Sequence, residues 1–251
     1  MRTALAICLV ALAAGCGGSG PREAELAPAA VREAPSRVRS EGTFSFAVAY
    51  SREIEGRPNE RYLELSGAVD VVAGTGRLRV SLAGLFEGLP TSDTFDEPIE
   101  LRWTPTAFRA RIEREERSLS RMRARESGGL IGRLPDEPTA VVELLAEAGD
   151  VRRVGEERID GRSTVRFSCT VDARRAGEAG APAELTKAFE QALHGPTLPL
   201  DVWLDAEGLP RRVEYVVRLE RVVSDGTQIL PPRVVRGTYE LSEFGEPVSP
   251  G

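Results

Sequence analysis

Histidine, lysine and pairable cysteine are nearly missing from this chain of 251 residues. His194 is the only histidine, Lys187 is the only lysine among 33 basic residues, and three cysteines stand at positions 8, 16 and 169. His194 precedes "GP" at the end of a helical pattern, where it reads as a C-terminal group favoured by the helix dipole rather than as a catalyst. With no second histidine, Cys–His nucleophile arrangements have nothing to stand on. The serine-nucleophile pattern GxSxG and the phosphate loops GxxxxGK[ST] and GxGxxG are absent as well. Carboxylates number 39, but their spacing gives no acid–base pair priority; Asp201 and Asp205 in "DVWLDAEG" flank a strand and a turn. The chain therefore reads as a non-enzyme, with no catalytic residue, cofactor or metal site expected. A net charge of −6 and a pI near 5.2 argue against a nucleic-acid partner. Beyond the first fifteen residues, no apolar run approaches the eighteen or so that cross a bilayer as a helix.

What is present begins at the N-terminus. Arg2 is the only charge in "MRTALAICLVALAAG", and the apolar run behind it is too short to span a membrane. Small residues Ala13, Ala14 and Gly15 form a cleavage site, and Cys16 follows at once. This order resembles the bacterial lipoprotein signal, in which the cysteine receives a diacylglycerol anchor and palmitate-like chains and becomes the first mature residue. An ordinary cleaved signal or an N-terminal membrane helix are the alternatives. The expected division is a signal peptide over 1–15, a lipidated tether with a possible short helix over 16–36, and a single domain over 37–247. That places the protein on the extracytoplasmic face of the cell membrane, held through acylated Cys16. Cys8 leaves with the signal and Cys16 is acylated, so only Cys169 remains and no intramolecular disulfide is possible. Cys169 alternates with Val165, Phe167 and Val171 and reads as a small buried apolar residue.

Most of the body repeats with period two. "TFSFAVAY" puts Phe44, Phe46, Val48 and Tyr50 on one face. "RLRVSLA", "IELRW" and "AFRARIE" continue with Leu78, Val80, Leu101, Trp103 and Phe108, with Gly74 and Gly76 as the turn before the first of them. "LPLDVWLD" and "RRVEYVVRLE" form a hairpin about "AEGLP", with Val202, Val213 and Tyr215 aligned, and "VVRGTYEL" closes the series. One-sided alternation of this kind marks antiparallel strands in a meander, about nine or ten of them. Three segments switch to a helical period: 22–34, 138–149 with the stripe Val141, Leu144, Leu145 and Ala148, and 183–195 with Leu185 and Phe189. The expected fold is α+β, a long curved antiparallel sheet wrapped around about three helices. The stretch 113–137 carries six arginines; it reads as a solvated strand continuation plus a loop, or as a lid whose Arg121, Arg123 and Arg125 meet anionic headgroups.

Three motifs carry a family likeness. "VGEERIDGRSTVRFSCTVD" (154–172), "LPLDVWLDAEGLPRRVEYVV" (198–217) and "YELSEFGEPVSPG" (239–251) resemble, in order and spacing, segments of the actinobacterial LppX/LprAFG lipoproteins. The resemblance implies a half-barrel related in architecture to the LolA/LolB carriers, with a hydrophobic cavity between sheet and helices that holds acyl chains of lipids or glycolipids. In this chain Phe44, Phe46, Val48, Tyr50, Leu78, Val80, Trp103 and Val202 would line it, with Leu144, Leu145, Leu185 and Phe189 opposite. The motifs are structural, so two functions stay open: a lipid-binding or lipid-transfer lipoprotein, or a tethered interaction or sensory scaffold with a packed core and an envelope protein partner.

Overall fold

A computed structural model of the chain describes residues 27–54, 60–81, 97–112, 115–120, 137–172, 174–175, 197–219, 222–224, 228–230 and 233–248. The alternation in the sequence becomes one open antiparallel sheet of eleven strands. The first half of the chain supplies β1 (Thr43–Ile54), β2 (Glu60–Asp70), β3 (Thr75–Ser81), β4 (Ile99–Trp103), β5 (Ala107–Ile112) and β6 (Glu115–Ser120). The second half supplies β7 (Ala148–Ile159), β8 (Arg162–Asp172), β9 (Thr197–Leu204), β10 (Pro210–Leu219) and β13 (Arg233–Ser242). Between the last two, β11 (Val222–Ser224) and β12 (Gln228–Leu230) pair only with each other. The spatial order is β6-β5-β4-β3-β2-β1-β13-β10-β9-β8-β7. Two meanders thus run outward from the centre, where β1 and β13 join them antiparallel from Ser45↔Ser242 to Ile54↔Arg233.

Register puts the apolar residues in cross-strand rows. Val48 lies between Leu65 and Tyr239, and Leu65 opposes Val80, which opposes Ile99. Val202 lies between Val213 and Phe167. The face so formed is buried from Phe108 on β5 to Phe167 and Cys169 on β8. The two edges are of another character. β6 reads "EERSLS", and β7 is mostly exposed and broken by register shifts between Gly149 and Arg152 and between Arg153 and Gly155, features that discourage edge-to-edge pairing.

Helix α1 (Ala29–Glu41) and helix α2 (Glu137–Leu144), which runs into a 3-10 turn at Leu145–Glu147, lie on the apolar face. Ala30, Val31, Ala34 and Val38 of α1 are in the core, and Pro35 is tolerated within the helix on that same buried side. Polar contacts fix α1 to its neighbours: Arg32 Nε donates to Ala148 O at 2.6 Å, Arg37 donates to Glu207 O at 2.8 Å, and Arg39 pairs with Glu143 of α2 at 2.5 Å.

Several expectations are corrected. The helix expected over 22–34 lies at Ala29–Glu41, because Pro28 occupies the N-cap where the missing N–H costs nothing. Residues 29–36, assigned to the tether, thereby belong to the core layer. The helix expected to reach Gly149 ends at Leu144; Ala148 and Gly149 instead pair with Val171 and Thr170 in the β7–β8 ladder. Val141, Leu144, Leu145 and Ala148 are all buried as the stripe expects, but Ala148 is buried from β7 rather than from the helix. Gly76 is a strand residue opposite Trp103, not part of the turn. Thirteen strands occur among the described residues where nine or ten were counted, and β2 is the principal omission. The third expected helix, 183–195, lies outside the described residues.

Candidate functional site

Ten of the residues expected to line a lipid cavity are described, and the fold brings all ten onto one side of the sheet or onto the helices facing it. Phe44, Phe46, Val48 and Tyr50 come from β1, Leu78 and Val80 from β3, Trp103 from β4, Val202 from β9, and Leu144 and Leu145 from α2 and its 3-10 turn. Their exposure runs from 0% to 6%, so protein atoms meet them on every side. Leu185, Phe189, Arg121, Arg123, Arg125 and the anchor Cys16 lie outside the described residues. Sequence reasoning missed Leu63, Leu65 and Val69 of β2, which complete the same face between β1 and β3.

Towards the Ile54 end of β1 the apolar face turns aromatic and polar-tipped. Tyr50 and Tyr239 hydrogen-bond through their hydroxyls, with rings 6.0 Å apart at 86°. Tyr215 lies 6.2 Å from Tyr239 and covers Gly237, where a β-carbon would sit 2.5 Å from its Cζ. The free thiol of Cys169 belongs to this interior too. Burial, reinforced by the charge of Asp201, pushes its pKa up to about 12, which makes it inert as a nucleophile at neutral pH.

The opposite face is polar and holds two features. On β8–β10, Trp203 is buried between the guanidiniums of Arg166 and Arg212, 5.0 and 5.7 Å from its ring centre. Its Nε1 donates to Glu157 Oε2 at 3.0 Å, while Arg166 reaches Asp201 at 2.7 Å and Glu157 at 3.4 Å. The hydrogen bond to Asp201 is the main reason that the Arg166 pKa is raised. Beside this cluster, across β13, β1, β2 and β3, lies a trough of about 760 Å³. Its floor is made of small side chains, among them Ala47, Ala49, Ser51, Ser66, Ser81 and Thr238. Arg61, Arg79 and Arg236 stand around it with Glu64 and Glu240.

Among the described residues, no group of three or more His, Cys, Asp or Glu side chains is placed to hold a metal ion. No described helix is long and apolar enough to cross a membrane. No family model matches the chain, and no curated protein matches it significantly. Solved structures do. The lipoprotein LppX of Mycobacterium tuberculosis superposes with a TM-score of 0.51 at 13% identity, over 88% of this chain and 96% of that one. LprF of Mycobacterium bovis gives 0.52 at 16% identity, over 88% and 94%. The likeness carried by three motifs in the sequence is thus matched by the arrangement of 88% of the chain, and at these identities what the chain shares with LppX and LprF is their fold.

Proposed function

We propose that this protein is a non-enzymatic cell-envelope lipoprotein, acylated at Cys16, that holds the acyl chains of a lipid or glycolipid between its sheet and its helices. One observation carries the reading. The buried apolar face extends over nine neighbouring strands, from β5 to β8, and neighbouring strands lie about 4.8 Å apart, so the face is about 38 Å wide. Among the described residues, helices α1 and α2, of 13 and 8 residues and each about 10 Å across, account for about half of that width. The remaining apolar width, with Leu78, Val80 and Trp103 on it, is the place for acyl chains. Because these side chains are already enclosed, a chain enters by displacing covering side chains rather than by filling a ready void. Burial of a C16 chain, at about 0.8 kcal/mol per methylene, yields about 10 kcal/mol before ordering costs, which leaves room for that displacement.

The same enclosure favours a second reading, a tethered scaffold whose packed interior supports a protein-binding surface. Mass spectrometry of the full chain purified from its native membranes separates the two. The carrier reading expects a lipid that co-purifies in near-stoichiometric amount and is lost on extraction with organic solvent. A lipid-free protein that captures one reproducible protein partner by crosslinking refutes it and leaves the scaffold. Palmitate incorporation that persists in Cys16→Ala refutes the anchor.

A further inference from the structure

The trough on the polar face is independent of the acyl-chain reading, since it lies on the other side of the sheet. The solvent face of a sheet is ordinarily filled by long polar side chains. Here three successive outward positions of β1 are Ala47, Ala49 and Ser51, and their neighbours on the flanking strands include Thr238 and Ser66. That run of small residues opens a hollow whose 760 Å³ lies within the range of about 300–1,000 Å³ usual for small-molecule sites.

Charge at one end of the hollow gives it a chemistry. Ser51 pairs with Arg236 of β13 on one side and with Arg61 of β2 on the other. The two arginines therefore stand two strand spacings apart, about 10 Å between backbones, with only a serine hydroxyl between them. Two guanidiniums bracketing a short hydroxyl can offer parallel N–H donors from both sides and an O–H from below, the donor set a phosphate accepts. The carboxylates nearby compete weakly. Arg61 meets Glu64 at 3.1 Å with side chains 72% and 51% exposed, and Arg236 meets Glu214 at only 3.7 Å. The first pair is exposed and the second, whose Glu214 is 21% exposed, is long, so both contribute little and yield to a phosphate oxyanion. Glu240 is engaged by Arg212 at 2.6 Å, and Arg79 forms no ion pair among the described residues, so the excess charge around the floor is positive.

We propose that the trough binds a phosphate group between Arg61 and Arg236 over Ser51, the rest of the ligand lying along Ala47, Ala49 and Thr238. The phosphate belongs to a soluble ester or to a phospholipid headgroup. The full chain in non-ionic micelles is titrated by calorimetry with glycerol 1-phosphate and, separately, with dihexanoyl phosphatidylglycerol. Binding of the first identifies a soluble ester as sufficient; binding of the second alone identifies a lipid headgroup. For whichever probe binds, Arg61→Gln/Arg236→Gln is expected to weaken affinity at least tenfold. Ala49→Leu, which keeps every charge but fills the floor, should do the same, while Arg77→Gln, on the same face outside the trough, should change nothing. The proposal is overturned if neither probe binds, or if Arg77→Gln weakens binding as much as the double substitution does.

Discussion

The indole of Trp103 occupies the space that a side chain at Gly76 would need: a β-carbon there would sit 2.3 Å from Cζ2 and 2.7 Å from Cη2. The two residues face each other across the β3–β4 ladder, so the ring covers a glycine on the next strand and seals one end of the apolar face. Gly76→Ala is expected to cost about 1–3 kcal/mol, the range of forced overpacking, measured by urea denaturation. A Trp103→Leu background should relieve part of that cost, appearing as coupling in a double-mutant cycle. Gly161 offers the contrast. With Asp160 it forms a hairpin turn in which both residues have positive φ, 48° and 78°, and nothing lies within 4 Å of a β-carbon there. Gly161→Ala should therefore cost about 1 kcal/mol from backbone strain alone.

Asp205 and Arg211 form a buried ion pair at the β9–β10 turn, each 6% exposed, with Arg211 Nε donating to Oδ2 at 2.7 Å. Asp205 Oδ1 accepts from the backbone N–H groups of Glu207 and Leu209, both at 3.0 Å, so one carboxylate shapes the turn and neutralises the arginine. Asp205→Ala leaves a buried cation unpaired and should destabilise by about 3–5 kcal/mol, read from the urea midpoint. Arg211→Met, which keeps packing near Phe244, should cost less than Asp205→Ala, because the orphaned carboxylate retains its two backbone donors.

Cys169 predicts an alkaline limit to stability. Its folded-state pKa, raised by burial, is about 12, against 9.0 for the unconstrained thiol. A raised pKa means that the folded state keeps its proton longer than the unfolded chain does, so stability is full below about pH 9 and is lost as pH rises towards 12. One such thiol gives a slope of about 1.4 kcal/mol per pH unit across that window. Cys169→Ala should flatten the slope by that amount in urea titrations at pH 9–11. Thiol reagents should modify Cys169 of the native protein only at the rate of unfolding.

The two tryptophans lie on opposite faces, which makes them separate reporters. If acyl chains lie on the apolar face, a bound brominated fatty acyl chain should quench Trp103 in a Trp203→Phe variant. It should leave Trp203 unchanged in a Trp103→Phe variant. Equal quenching of both, or of neither, refutes the carrier reading.

The apolar face was legible because its alternation is local: Phe44 to Tyr50 and Leu198 to Leu204 state which side is inward without reference to the rest of the chain. β2 escaped because "RYLELSGAV" interrupts its alternation at Gly67, and only the fold shows why. A β-carbon at Gly67 would fall 2.1 Å from the carbonyl oxygen of Arg77, so the neighbouring strand demands glycine there. The end of α2 escaped for a related reason. Ala148 and Gly149 fit a helical C-terminus by propensity, and the ladder with Val171 and Thr170 overrides it. The trough was invisible from sequence because no short window contains it. Ser51, Arg61 and Arg236 come together only through the pairing of β1 with both β2 and β13.

That central pairing of β1 with β13 has a kinetic consequence. Thr43 and Ser242 are separated by almost the whole described chain, yet their strands are adjacent and Thr43 Oγ1 also donates to the carbonyl of Glu246 at 2.7 Å. A nascent polypeptide can zip up either meander alone, but it cannot fuse them until the final strand has been synthesised. High contact order of this kind slows folding, so the growing chain passes through a long-lived divided state. Throughout that time β1 presents a naked hydrogen-bonding edge at the middle of the future molecule, the point at which a chaperone has most to protect.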